Sequence, residues 1–186
     1  MPRRFSFLCA IAVLAATLAA APSAMGARAC ESANATPAHA AQRTMVRATL
    51  CVLNAERERH RLRPLTLNKR LSRAARRHAR DMARRKYFTH NSLGGGTFVD
   101  RIRRTGYLRG ARSWFVGENL AWGTLSRSAP RAITKMWMGS PGHRANILSP
   151  SFREVGIGLA YGAPARVGGA PAATYATDFG AAKRRQ

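Results

Sequence analysis

The sequence predicts an α+β domain in which amphipathic helices are layered on an antiparallel sheet, and three observations predict it. Apolar residues recur at helical spacing in residues 45–60, 69–82 and 130–137. They alternate with polar or small residues in 116–122, 155–161 and 173–179. The helical runs come first and the clearest strands last, which argues for helices packed on a sheet rather than for alternating βα units. With 186 residues and 46% hydrophobic composition, the chain is long enough for one well-cored domain and short for two.

Residues 1–29 read as a secretory signal peptide. Pro2-Arg3-Arg4 is a basic start, Phe5 to Ala21 is an apolar run, and small residues allow cleavage after Ser23, Gly26 or Ala29. No later stretch approaches the roughly 18 apolar residues a bilayer span requires, so the mature chain is expected to lack a transmembrane segment and to be secreted. Residues 30–44 lack periodicity and read as a tether. Cys9 leaves with the signal, so Cys30 and Cys51 remain as an even pair in an oxidising compartment. A disulfide between them is the natural reading, with two separate thiols as the alternative; closing a loop of about 20 residues contributes on the order of 3 kcal/mol.

The first helix spans Met45 to His60, with Val46, Leu50 and Leu53 at helical spacing, Met45 and Val52 beside them, and Arg57, Glu58 and Arg59 as a polar end. Asn68 caps a second helix whose apolar face carries Leu71, Ala74, Ala75, His78 and Met82. Asn91 to Gly96 is a glycine loop, and a short helix over 98–105 ends at Gly106. In the strand 116–122, Val116, Glu118, Leu120 and Trp122 share a face, which sets a carboxylate among apolar neighbours. Ser128 and Pro130 open a third helix with Ala129, Ile133, Met136 and Trp137 as its buried stripe, and Ser140-Pro141-Gly142 stops it. Two further strands carry Val155, Ile157, Leu159 and Tyr161, and Ala173, Tyr175, Thr177 and Phe179, joined by a long hairpin loop over 162–171. The domain thus covers 45–181, and 182–186 is a solvated basic tail.

Net charge is +24; removing residues 1–29 takes away three arginines and leaves +21. Such a chain attracts anionic envelope components in a salt-sensitive way. The 28 arginines against 4 lysines are spread along the sequence rather than gathered in one stripe, and no nucleic-acid-binding motif accompanies them. Nucleic acid is therefore not an expected partner.

The ordered motifs Leu53-Asn54-Ala55-Glu56-Arg57, His78-Ala79-Arg80-Asp81-Met82, Tyr87-Phe88-Thr89-His90, Gly117-Glu118-Asn119-Leu120, Trp137 to Leu148, Glu154-Val155-Gly156-Ile157-Gly158 and Tyr175-Ala176-Thr177-Asp178-Phe179-Gly180 resemble the CAP superfamily (cysteine-rich secretory proteins, antigen 5, pathogenesis-related 1), and most closely its bacterial SCP-like extracellular branch. The resemblance covers residues 45–181. It implies an α-β-α sandwich with a central antiparallel sheet and a cleft of two His and two Glu that in many members binds a divalent cation such as zinc. On that pattern His90, Glu118 and His143 are the metal candidates. Asn119 and Glu154 join them as ligand-cleft candidates, although Glu154 has an alternative surface or strand-edge role. The second glutamate position holds Ser140 instead.

Two imidazoles and a carboxylate suit zinc, with a position left open. The sequence does not require the cation, and a hydrogen-bonded structural role for the two histidines stays open, as does a salt bridge from Glu118 to an arginine. His78 reads as a packed, hydrogen-bonded core residue, His60 as exposed, and His39 as part of the tether. No catalytic nucleophile is legible: Ser140 and Ser149 flank His143 without the strand–turn–helix setting of a nucleophile elbow. The expectation is a secreted binding module, more a binder than an enzyme, whose cleft takes a divalent cation or small ligand. The alternatives are a metal-assisted hydrolase (peptidase or esterase) using the same cleft, and a cationic envelope-active or antimicrobial-type factor.

Overall fold

The computed structural model describes residues 30–184; the expected signal peptide and the last two residues of the expected basic tail lie outside them. In chain order the elements are α1 (Gln42–Arg59), β1 (Thr66–Leu67), α2 (Lys69–Arg85), α3 (Phe98–Arg104), β2 (Ala111–Thr124), a 3-10 turn (Leu125–Ser128), α4 (Pro130–Met138), α5 (Pro141–Leu148), β3 (Glu154–Tyr161) and β4 (Ala172–Arg184). The sheet order is β1-β3-β4-β2. β4 is antiparallel to both β2 and β3, and β1 adds a short parallel pair to β3.

Strand alternation divides the sheet between two helical layers. Val155, Ile157 and Leu159 of β3 and Ala173, Tyr175 and Phe179 of β4 face a core shared with Met45 and Leu53 of α1, Ile133 and Trp137 of α4, and Ile147 of α5. The opposite face, with Leu120, Ala160 and Ala176, packs on Ala75, Ala79 and Met82 of α2. Gly156 and Gly158 bring α2 onto the backbone of β3: a Cβ on them would lie 2.0 and 2.1 Å from the carbonyl carbons of Leu71 and Ala75. This α-β-α architecture is the expected fold class.

Several local expectations need revision. α1 begins at Gln42, inside the expected tether, and the tether itself is tied down. Cys30 is bonded to Cys51, Ala33 is buried, and Arg131 donates its backbone N–H to the Ala33 carbonyl. Arg57 is no part of a polar end: it is fully buried and donates to the carbonyls of Arg63, Ile147 and Ser149, anchoring α1 to the end of α5. Met136 lies on the exposed side of α4. The helix over 130–138 stops before Ser140-Pro141-Gly142 as expected, but the same residues also start α5, because Pro at the first helical position has no N–H to lose. Residues 182–184, expected as tail, extend β4, and Arg184 donates to the Tyr107 carbonyl.

Eight of the basic residues are gathered on one helix. Lys69, Arg70, Arg73, Arg76, Arg77, Arg80, Arg84 and Arg85 are all exposed on α2, against the single acid Asp81 on that helix. The expected even spread is thus replaced by a cationic ridge. Among the described residues no helix is long and apolar enough to cross a membrane.

Candidate functional site

Consecutive residues of β2 point to opposite faces of the sheet, so Gly117, Glu118 and Asn119 serve different layers. Glu118 turns toward α2 and α3, where its side chain is 1% exposed. Its Oε2 accepts from Nη2 of Arg101 at 2.6 Å, and its Oε1 pairs with Nδ1 of His90 at 2.8 Å. Arg101 sits on α3, which starts at a capping box formed by Thr97 and Asp100. The same guanidinium donates through Nη1 to the His90 carbonyl and to Ser92 Oγ, so one side chain neutralises Glu118 and fixes the loop that carries His90. The His90 side chain is 52% exposed, with its other ring nitrogen free of protein partners among the described residues. The arrangement is that of an oriented imidazole, its Nδ1 held by a buried carboxylate.

Asp178 of β4 is the cross-strand neighbour of Glu118 and is fully buried. Burial, followed by the charge of Glu118, pushes its carboxyl well above the ordinary carboxylate range. Neither of its oxygens receives a hydrogen bond from another group. Both facts are met by a neutral Asp178 acid.

Asn119 turns to the other face and does not enter the cleft. It is completely buried, donates to the His143 carbonyl at 3.0 Å, and accepts from Asn146 Nδ2 at 2.8 Å. It therefore fixes the first turn of α5 and with it the position of His143. Gly117 permits this, since a Cβ there would lie 2.7 Å from Oδ1 of Asn146. β2 is an edge strand, with the start of α5 bonded to Asn119 on one of its faces and His90 to Glu118 on the other. The His143 pKa is lowered by its partial burial and then by the nearness of His90, which leaves the ring neutral at pH 7.

The remaining candidates lie elsewhere. Glu154 is held by Asn68 Nδ2 at 2.6 Å and by the Tyr107 hydroxyl at 2.7 Å, joining the cap of α2 to the segment after α3, away from His90. Ser140 is the N-cap residue of α5 and forms no side-chain cap bond. His78 is buried and hydrogen-bonded to the Thr89 carbonyl, as expected of a core histidine. His60 is exposed beside Glu56 and Arg144, and His39 is exposed in the N-terminal turn. Arg101 and Asp178 are the two residues of the site that the sequence does not single out. Arg101 is one of 28 arginines, and Asp178 acquires a partner only through strand register.

This donor set divides when tested against a divalent cation. The imidazoles fit, each being able to offer a lone pair. Glu118 does not: both its oxygens are engaged, one of them by a buried cation. Among the described residues no three His, Cys, Asp or Glu side chains form a metal-holding group.

Known proteins share this architecture. The family model of the cysteine-rich secretory proteins (CAP) matches residues 50–176. The Bacillus subtilis (strain 168) protein YkwD is 38% identical over 105 residues, which are 56% of this chain and 38% of that protein. An extracellular SCP-domain protein from Bacillus anthracis str. Ames superposes with a TM-score of 0.58 at 27% identity, over 78% of this chain and 44% of that one. An outer surface protein from Borrelia burgdorferi shares the fold with a TM-score of 0.57 at 19% identity, over 72% of this chain and 90% of that one. The chain spans less than half the length of the two Bacillus proteins. A match over most of the described residues, on an α-β-α sandwich that carries the motifs in the expected order, places this chain in the cysteine-rich secretory protein family.

Proposed function

We propose that this protein works outside the cell as a binding module, and that His90 and His143 together take a divalent cation or a small polar ligand. The extracellular setting is supported by the apolar leader, the Cys30–Cys51 bond and the description of the Bacillus anthracis neighbour as an extracellular protein. The observation that carries the reading is the orientation of His90. A buried carboxylate, itself pinned by Arg101, holds Nδ1 and leaves Nε2 available beside a neutral His143. Glu118 acts through the imidazole and not as a ligand, in the manner of a carboxylate behind a metal-bound histidine. A divalent cation held by the two rings would supply a Lewis-acidic centre with open positions for a further ligand.

Calorimetric titration of the oxidised mature protein with zinc tests this. Binding of one equivalent, lost in both His90→Ala and His143→Ala, is expected. Binding unchanged by either substitution would return the histidines to a structural role. A second reading, a cationic envelope-active factor, is favoured by the ridge on α2. It predicts binding to anionic vesicles that moderate salt abolishes and that His143→Ala leaves untouched.

A further inference from the structure

α2 turns its apolar stripe to the sheet: Leu71, Ala74, Ala75, Ala79 and Met82 are all buried. Its outward face is left to basic side chains. Lys69, Arg73, Arg76, Arg80 and Arg84 are exposed and follow one another at intervals of three or four residues, so they form a single row along the helix, flanked by Arg70 and Arg77. At the rise of an α-helix the row is about 22 Å long and carries a charge about every 5–6 Å. No member of the row forms an ion pair among the described residues. Asp81, the single acid of the helix, lies to one side and is engaged by Arg85 and by the Tyr87 hydroxyl.

This row works against the helix that carries it. Lys69 and Arg73, Arg73 and Arg77, Arg76 and Arg80, and Arg80 and Arg84 are like charges four residues apart, a spacing at which they destabilise a helix. Lys69 and Arg70 also put cations in the first turn, where the helix dipole disfavours them and no acid offsets them. Packing does not call for these charges, since every one of them is exposed. A polyanion laid along the row removes both costs. A bilayer fits less well, because a helix lying in a membrane surface needs apolar side chains on the face it presents, and those of α2 are buried on the sheet. A nucleic acid strand also fits less well, because residues 69–85 include no aromatic side chain on which bases could stack.

We propose that the α2 ridge docks a linear envelope polymer of short polyol phosphodiesters, lying along the row with about one phosphate per helical turn. The proposal deepens the reading of a cationic envelope-active factor and rests on it. Apart from Lys69 the row is arginine, whose planar fork holds two oxygens of one phosphate. In a polyol phosphodiester the charge lies in the backbone of the chain, so successive phosphates can follow one row of guanidinium groups. In a polyuronate the charge hangs on a ring beside the chain. Affinity comes from the number of contacts, because each phosphate neutralised releases counter-ions. The surface is separate from the His90–His143 cleft and does not depend on a cation there.

The test is calorimetric titration of the oxidised mature protein with glycerol phosphate oligomers of increasing length at several salt concentrations, beside anionic vesicles, polygalacturonate and single-stranded DNA of equal charge. The ridge variant Arg73→Gln/Arg76→Gln/Arg80→Gln is compared with Arg43→Gln/Arg47→Gln/Arg127→Gln, which removes the same charge from exposed positions off α2. Affinity is expected to rise steeply up to about five repeats, one per charge of the row, and slowly beyond. Five phosphates give a slope of log affinity against log salt of about −3.5. The ridge variant is expected to reduce that slope by about 2 and to bind about tenfold or more weakly, with a melting temperature no lower than the parent's because repulsion has been removed. The other variant should stay within about threefold of the parent. Equal loss in both variants would trace binding to net charge and overturn the proposal while leaving the envelope-active reading in place; no binding to oligomers or vesicles would remove that reading as well. Tighter binding of DNA or polygalacturonate, or ridge substitutions that weaken vesicle binding alone, would also overturn the proposal.

Discussion

Glu118 can be buried because a cation already sits beside it. The sequence allows the first half of that statement to be read, since alternation with Val116, Leu120 and Trp122 sets a carboxylate on an apolar face. The second half is hidden: nothing local distinguishes Arg101 from the other arginines, and its role follows from how α3 docks. Removing one member of a buried ion pair leaves the other uncompensated, so Arg101→Met should lower stability by about 3–5 kcal/mol, read from urea unfolding. Asp178 leads to a pH prediction. Its pKa is raised in the fold, so the stability associated with its proton is fully present below the unfolded value of about 3.9 and declines as pH rises toward the folded value. Asp178→Asn keeps the size of the side chain and removes the titration. The stability of this variant relative to the parent should therefore rise as pH increases from about 4. A constant difference across it would show that Asp178 is ionised in the fold. Asn119 and Glu154 were legible as polar residues inside the motifs, but not the faces they serve: Asn119 holds α5, and Glu154 holds the cap of α2.

At the scale of elements, α2 was readable almost residue by residue, because Asn68 caps it and its inner stripe is unbroken. What periodicity does not reveal is how close it lies to the sheet. A methyl group on Gly158 would overlap the backbone between Ala75 and Arg76, with no flexible side chain to move aside. Gly158→Ala is expected to cost about 3 kcal/mol or more, or to prevent folding, whereas Gly94→Ala, with nothing near its Cβ, should be close to neutral. α5 was missed because Pro-Gly reads equally as a stop and as a start, and only the Asn119–His143 bond decides which. The disulfide was legible once Cys9 was assigned to the signal and the remaining pair to an oxidising compartment. Its 21-residue separation implies that Cys30→Ser/Cys51→Ser should lower stability by about 3 kcal/mol, measured by thermal unfolding without reductant.

For the molecule as a whole, family and layer order were legible because seven short motifs occur in sequence order, each fixed by packing against the same sheet. The cationic ridge is written in the sequence as well, as eight basic residues between Lys69 and Arg85 opposite the apolar stripe of α2, and a view of the arginines over the whole chain passes over it. The ridge lies on α2, and His90, paired with Glu118, stands on the same side of the sheet. The central claim is that His90 and His143, carried by different layers, act on one ligand. It is tested most directly by recording the imidazole nitrogen signals of both residues during a zinc titration of the oxidised mature protein. The account predicts that both sets shift together and are complete at one equivalent, and that His90→Ala abolishes the shift at His143. Shifts confined to one histidine, or absent from both, would contradict it.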